Sequence, residues 1–189
     1  MSKEGVKALM DSLTEREIRQ IESSLIYFTA SAPLEATGHV NVSPKGMKDT
    51  FVIIDSKTVA YLDLTGSGAE TAAHVTQNGR ITLMWCSFDE KPNILRLFGT
   101  AQLHREGSEE FVRLLPLFGK HLGCRGIFEV KIERVSNTCG FGVPVAPQMI
   151  EREDLDEWLV KKGETGLAEY QARKNAYSID GLRAYAVQQ

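Results

Sequence analysis

The chain has 189 residues, 42% of them hydrophobic and 25% charged, and a formal net charge of −3. Such a length buries a core without metals or disulfides, and the composition is ordinary for a soluble globular protein. The mildly acidic balance, with no Lys/Arg block, argues against nucleic acid or an anionic membrane as partner, and no apolar run reaches the roughly 18 residues that span a bilayer.

The opening MSKEGVKALMDSLTERE lacks the apolar stretch of a secretory signal, so the cytoplasm is the expected location. Thr14-Glu15-Arg16-Glu17 predicts a capping box, followed by a short amphipathic helix with Ile18, Ile21 and Leu25 on one face. Strands are then expected over 27–32 and 39–45. A hairpin is predicted from 50–55 and 59–64 around Ser56-Lys57.

After the hairpin, Thr65-Gly66-Ser67-Gly68 reads as a turn rich in donors, and 69–77 as a helix ended by Asn78-Gly79. Strands follow over 80–88 and 94–104, then a helix capped by Ser108. From Gly126 to Val135 the pattern alternates, with Phe128, Val130 and Ile132 on one side and Glu129, Lys131 and Glu133 on the other. Cys139-Gly140-Phe141-Gly142-Val143-Pro144 is either a pocket wall or a plain connector to two helices, 153–162 and 167–175, and an irregular tail over 177–189. Six or seven strands with few helices between them predict an antiparallel, mainly β fold with peripheral helices. One domain is expected, with a barrel core over about residues 22–137 and a helical extension over about 150–189.

Three cysteines without CxxC spacing are expected to be reduced thiols. Four histidines without ligand spacing predict no metal site. Polar residues concentrate at the strand end His39–Gly46 and at Leu62–Thr71. A glycine-rich turn entering a helix presents backbone amides to a phosphate, with Lys45 as counter-charge. It also serves as a plain helix start with Lys45 in solvent. A lone GxG does not separate the two, and this one lacks the strand–helix–strand setting of a dinucleotide site.

The motifs GHVNVSPKG, YLDLTGSGAET, HVTQNGRITLMW and ILRLFGTAQ, in that order, resemble the FMN-binding split β-barrels related to pyridoxamine 5'-phosphate oxidase. The resemblance covers about residues 15–135; CGFGVPV and KNAYSIDGL resemble a subgroup of these proteins. It implies a six-stranded antiparallel split barrel, homodimeric, with FMN at the interface. It further implies a flavin-dependent oxidoreductase acting on a small molecule, or a non-catalytic binder of flavin, haem or a deazaflavin. Carried over by position, the cofactor residues are Asn41, Ser43 and Lys45 on the strand, Asp63, Leu64, Thr65 and Ser67 in the loop, and Thr71 at the helix start. Arg80 is expected to open a strand and not to hold the cofactor.

Where the oxidase proper carries an Arg-Lys pair at that helix start, this chain has Glu70-Thr71. The amide-bearing strand position near Ile94 is also lost, and Arg183 does not clearly match the oxidase's substrate-binding arginine. These departures argue against efficient oxidation of pyridoxamine phosphate. No catalytic residue is assigned. His39 and His74 are the nearest proton-transfer candidates, and a structural role is the stronger reading for each.

Overall fold

The computed structural model describes residues 10–186. Helix α1 (Glu15–Ser23) starts as its sequence dictates. The Thr14 side chain accepts from the Arg16 amide at 3.3 Å, and the Thr14 amide donates to Glu17 Oε2 at 3.0 Å. Ile21 is buried and Ile18 packs beside it, but Leu25 is 43% exposed. The helix stops at Ser23, and extended backbone at Ser24 carries Leu25 off the apolar face.

Seven strands form one antiparallel sheet: β1 (Ile26–Ser31), β2 (Asn41–Gly46), β3 (Phe51–Asp55), β4 (Thr58–Leu64), β5 (Arg80–Cys86), β6 (Ile94–Arg105) and β7 (Cys124–Thr138). Their order is β2-β1-β5-β6-β7-β4-β3. In a flat sheet β1 and β3 would lie about 24 Å apart, at about 4.8 Å per strand. Instead the Tyr27 and Phe51 rings meet edge to face at 5.1 Å, and both pack on Trp85. The sheet is therefore curled into a split barrel, parted between its edge strands β2 and β3.

Inside the curl, Tyr61 stacks on Phe128 at 4.9 Å, and Leu83, Leu95, Leu97 and Val130 fill the rest. The expected inward row Phe128, Val130, Ile132 is buried, while Lys131 and Glu133 are exposed. Helix α2 (Glu70–Asn78) adds Ala72, Ala73 and Val75 to this core and ends at Gly79, whose φ of 71° a side chain would strain. Strand β4 is covered on its other side too. Ala60 and Leu62 pack with Ile127 against Phe111 and Leu114 of α3 (Glu109–Leu114), a helix capped by the Ser108 hydroxyl as expected.

The two helices expected near the C-terminus form α4 (Asp154–Lys174), broken at Gly163, where φ is 63°. Trp158 and Tyr170, from the two sides of that break, meet edge to face at 5.0 Å. The tail over 177–186 is irregular, apart from a bridge between Tyr177 and Arg183; positions 187–189 of the expected tail lie outside the described residues. No helix among the described residues is long and apolar enough to cross a membrane.

Candidate functional site

Strand geometry places one set of expected site residues together. Residues two apart share a face, so Asn41, Ser43 and Lys45 of β2 point the same way while Val42 and Pro44 are exposed on the other. The Asn41 side-chain amide donates to the Thr71 hydroxyl at 3.0 Å, and the Ser43 hydroxyl donates to Asn41 at 3.1 Å. Lys45 Nζ lies 3.5 Å from Asp63 at the end of β4. Ser43, Lys45, Asp63, Leu64, Ser67 and Thr71 line a cavity of about 240 Å³ at the start of α2. Asn41 supports Thr71 without lining the cavity itself.

Thr65 stands apart from the others. Its hydroxyl donates to the Gly123 carbonyl at 2.6 Å and accepts from Gln171 at 2.8 Å. Its amide also bonds the Gly123 carbonyl. Thr65 thus ties the turn to the residue just ahead of β7 and to α4, and its hydroxyl is not offered to the cavity.

The sequence reading missed the most deeply placed cation. Arg125 is 6% exposed and lines the same cavity. Its guanidinium lies 3.0 Å from Asp63 and donates to the Gly68 carbonyl at 2.9 Å, while its Nε has no hydrogen-bond partner. Between β4 and β7 the register passes from Asp63↔Gly126 to Leu64↔Cys124, which makes Arg125 the extra residue of a bulge. Simple alternation would have put it on the Ile127 side. A bulge re-aims a side chain, here toward Asp63 and the cavity. The sequence signal was slight: a cation between Gly123 and Gly126, just ahead of a clean alternation.

Tyr185 completes the cluster, and no pattern announced it. Its hydroxyl donates to Asp63 at 2.6 Å, and its ring lies 5.1 Å from the guanidinium carbons of both Arg105 and Arg125. Burial alone would raise the Asp63 carboxyl. Arg125 and Lys45 outweigh it, helped by the hydrogen bonds from Tyr185 and Arg125, and hold the group below its ordinary value. Burial and the Asp63 charge push the Tyr185 phenol well above its ordinary value, so it stays a donor.

The remaining candidates lie elsewhere. His39 Nδ1 pairs with Asp180 at 2.6 Å on the surface, and His74 is fully buried, its Nδ1 3.0 Å from the Ser31 hydroxyl. Neither lines the cavity. Burial, partly opposed by Asp180 and Glu70, lowers the His74 imidazole and favours its neutral form. Arg80 opens β5, as expected, and bonds the Pro33 carbonyl. Phe141 is 83% exposed, so it walls no pocket; Gly140 lets its loop approach Asn93, where a Cβ would sit 2.9 Å from the backbone.

The sequence profile described as "Pyridoxamine 5'-phosphate oxidase" matches residues 14–139. This chain belongs to the pyridoxamine 5'-phosphate oxidase family. A curated relative, "Pyridoxamine 5'-phosphate oxidase family protein ustO" of Aspergillus flavus, is 35% identical across 93% of this chain and 75% of its own length. Two crystal structures of HupZ from Group A Streptococcus share the fold with TM-scores of 0.51. The first is 20% identical, covering 67% of this chain and 95% of that one; the second, a histidine-to-alanine variant, is 22% identical, covering 66% and 98%. The family match ends before α4 and the tail, so the residues that reach back to the cavity from 171–185 lie beyond it, while the ustO similarity extends over nearly the whole chain.

Proposed function

We propose that this chain is an FMN-dependent oxidoreductase acting as a homodimer on a small organic molecule, with the cavity at the start of α2 holding the phosphate end of the cofactor. One observation carries the reading. Two cations, the hydroxyls of Ser43, Ser67 and Thr71, and the glycine-rich turn before α2 converge on a single cavity. The residues suit a phosphate: Arg125 borders the cavity with a guanidinium whose donors match phosphate oxygens, and Lys45 adds a second cation.

The size of the cavity bears on the rest. At about 240 Å³ it lies below the roughly 300–1,000 Å³ that encloses a whole drug-sized ligand. A phosphate and part of a ribityl chain suit it, which leaves the ring for a second surface. The outer face of β2-β1-β5-β6 is available. Two adjacent cross-strand rows lie there, Val42–Ala30–Thr82–Phe98 and Pro44–Phe28–Met84, with Val42 61% and Phe98 38% exposed. A contiguous apolar strip of this kind favours a second copy of the chain. FMN, when bound, supplies hydride or electron transfer at N5 of its isoalloxazine ring. The chain's own contribution is to hold and orient: Lys45 and Arg125 neutralise the anionic tail, and Asp63 and Asn41 fix the groups that touch it.

The test is the absorption spectrum of the purified protein, with mass spectrometry of the released ligand and steady-state assays with NAD(P)H and candidate amines. A yellow protein whose flavin is bleached and regenerated supports the reading. Flavin without turnover reduces the protein to a flavin carrier. A colourless protein whose melting temperature does not respond to FMN ends the reading, since a tight ligand stabilises by mass action. Lys45→Ala is expected to weaken FMN retention more than His74→Ala; equal retention removes the phosphate assignment.

A further inference from the structure

The charge missing from the start of α2 is supplied from another strand and secured by the C-terminal tail. We propose that Arg125 is the buried cation that recognises the flavin phosphate, and that the segment 175–186 is part of that anion site, with Tyr185 positioning the guanidinium. This rests on the flavin reading above and deepens it.

A purely structural ion pair with Asp63 accounts for less of what is seen. Burying two charges is costly, and a fully paired, fully bonded cluster is the arrangement that best offsets the cost. Here the carboxylate is well supplied, with Arg125, Lys45 and Tyr185 around it. The guanidinium is not: its Nε is unpartnered, and the side chain borders an open cavity. Lys45 and Arg125 face Asp63 and Glu70 around the cavity, so the formal charges balance and selectivity for an anion rests on directed donors, the guanidinium foremost. The bulge turns Arg125 away from the Ile127 face and onto Asp63, the Gly68 carbonyl and the cavity.

The tail reaches the same place by several routes. The Asn175 side-chain amide donates to the Gly66 carbonyl at 2.9 Å and so fixes the turn that lines the cavity. The Ile179 backbone N–H donates to Glu70 at 3.3 Å, drawing hydrogen-bonding capacity from the one carboxylate that replaces the oxidase's cationic pair. The Arg105 guanidinium holds the Ala184 carbonyl, and this anchors Tyr185 over both arginines. Tyr185 then keeps Asp63 in register with Arg125. The group expected to bind the anion therefore depends on a residue from the far end of the chain.

The experiment compares FMN with riboflavin, which differ only in the phosphate. Affinities for both are measured by flavin fluorescence on flavin-stripped wild type, Arg125→Lys and Tyr185→Phe, with circular dichroism and thermal melts as folding checks. Wild type is expected to favour FMN about 100-fold, the scale of two charge-assisted contacts. Arg125→Lys keeps the charge but loses the fork, and should cut that preference about 10-fold with riboflavin affinity unchanged. Tyr185→Phe should cut it roughly 3- to 10-fold. If Arg125→Lys fails to fold, Tyr185→Phe, which keeps the ring and its packing, carries the test. A merely structural role lowers both affinities together, or the melting temperature alone, and leaves the ratio intact. An FMN-selective wild type with an unchanged ratio in Tyr185→Phe overturns this inference and leaves the flavin reading standing. A wild type that binds neither flavin overturns both.

Discussion

The middle of the split barrel and its cavity end are built on opposite plans. In the middle, Tyr27, Phe51, Tyr61, Trp85 and Phe128 pack ring on ring with aliphatic neighbours. At the cavity end, a similar degree of burial encloses Asp63 and Arg125, with Tyr185 half-buried against them. The middle draws its stability from dispersion and apolar burial, which are non-directional and tolerate exchange among shapes of like volume. The cavity end depends on directed contacts, where losing one partner strands another in low dielectric. A fold that needed only stability would have no use for the second plan. A fold that must admit an anion needs charge where water is scarce.

That contrast is sharpest under mutation. Trp85→Ala, at 1% exposure, removes the ring on which Tyr27 and Phe51 pack, and should cost about 3–5 kcal/mol by urea denaturation. Loss of less than about 1 kcal/mol would mean that the middle relaxes freely and the plans are not distinct. Asp63→Asn comes next, at about 3 kcal/mol near neutral pH, because it leaves Arg125 buried without its counter-charge. Here pH supplies a signature that Trp85→Ala lacks. The folded Asp63 carboxyl lies below its reference value of 3.8. Its stabilisation is thus complete above that value and is lost as pH falls through the lower folded one. The stability gap between wild type and Asp63→Asn should close in acid, while that of Trp85→Ala persists. A gap that stays constant down to acid unfolding would place the Asp63 contribution outside its ionised form.

The same contrast explains what could be read in the sequence. Elements of the middle announce themselves locally: the alternation at Phe128–Ile132, the hairpin around Ser56-Lys57, and the Thr14 and Ser108 caps all lie where their patterns put them. Asn41, Ser43 and Lys45 share a face for the same period-two reason. The cavity end was legible only where it uses one strand and the adjacent turn. Arg125 was hidden because a bulge breaks the alternation that would have located it. Tyr185 was hidden because its partner is 122 residues away and nothing in an irregular tail has a period. Thr65 misled in the opposite way, since a hydroxyl in a donor-rich turn looks free until Gly123 and Gln171 are placed against it.

The smallest effect separates the two plans most finely. Lys45 belongs to the cavity by position, yet its side chain is 22% exposed and stands 3.5 Å from Asp63. Solvent screens such a contact, and pairs of this kind contribute about 1 kcal/mol or less. Asp63 also keeps Arg125 and Tyr185 when Lys45 is removed. Lys45→Ala is therefore expected to shift the urea midpoint slightly, by about 0.5–1 kcal/mol in stability, while its loss of FMN retention is large. Stability and retention should part company here as they do not at Trp85. If Lys45→Ala instead unfolds as readily as Asp63→Asn, Lys45 is a structural member of the charged cluster, and the anion rests on Arg125 and the turn.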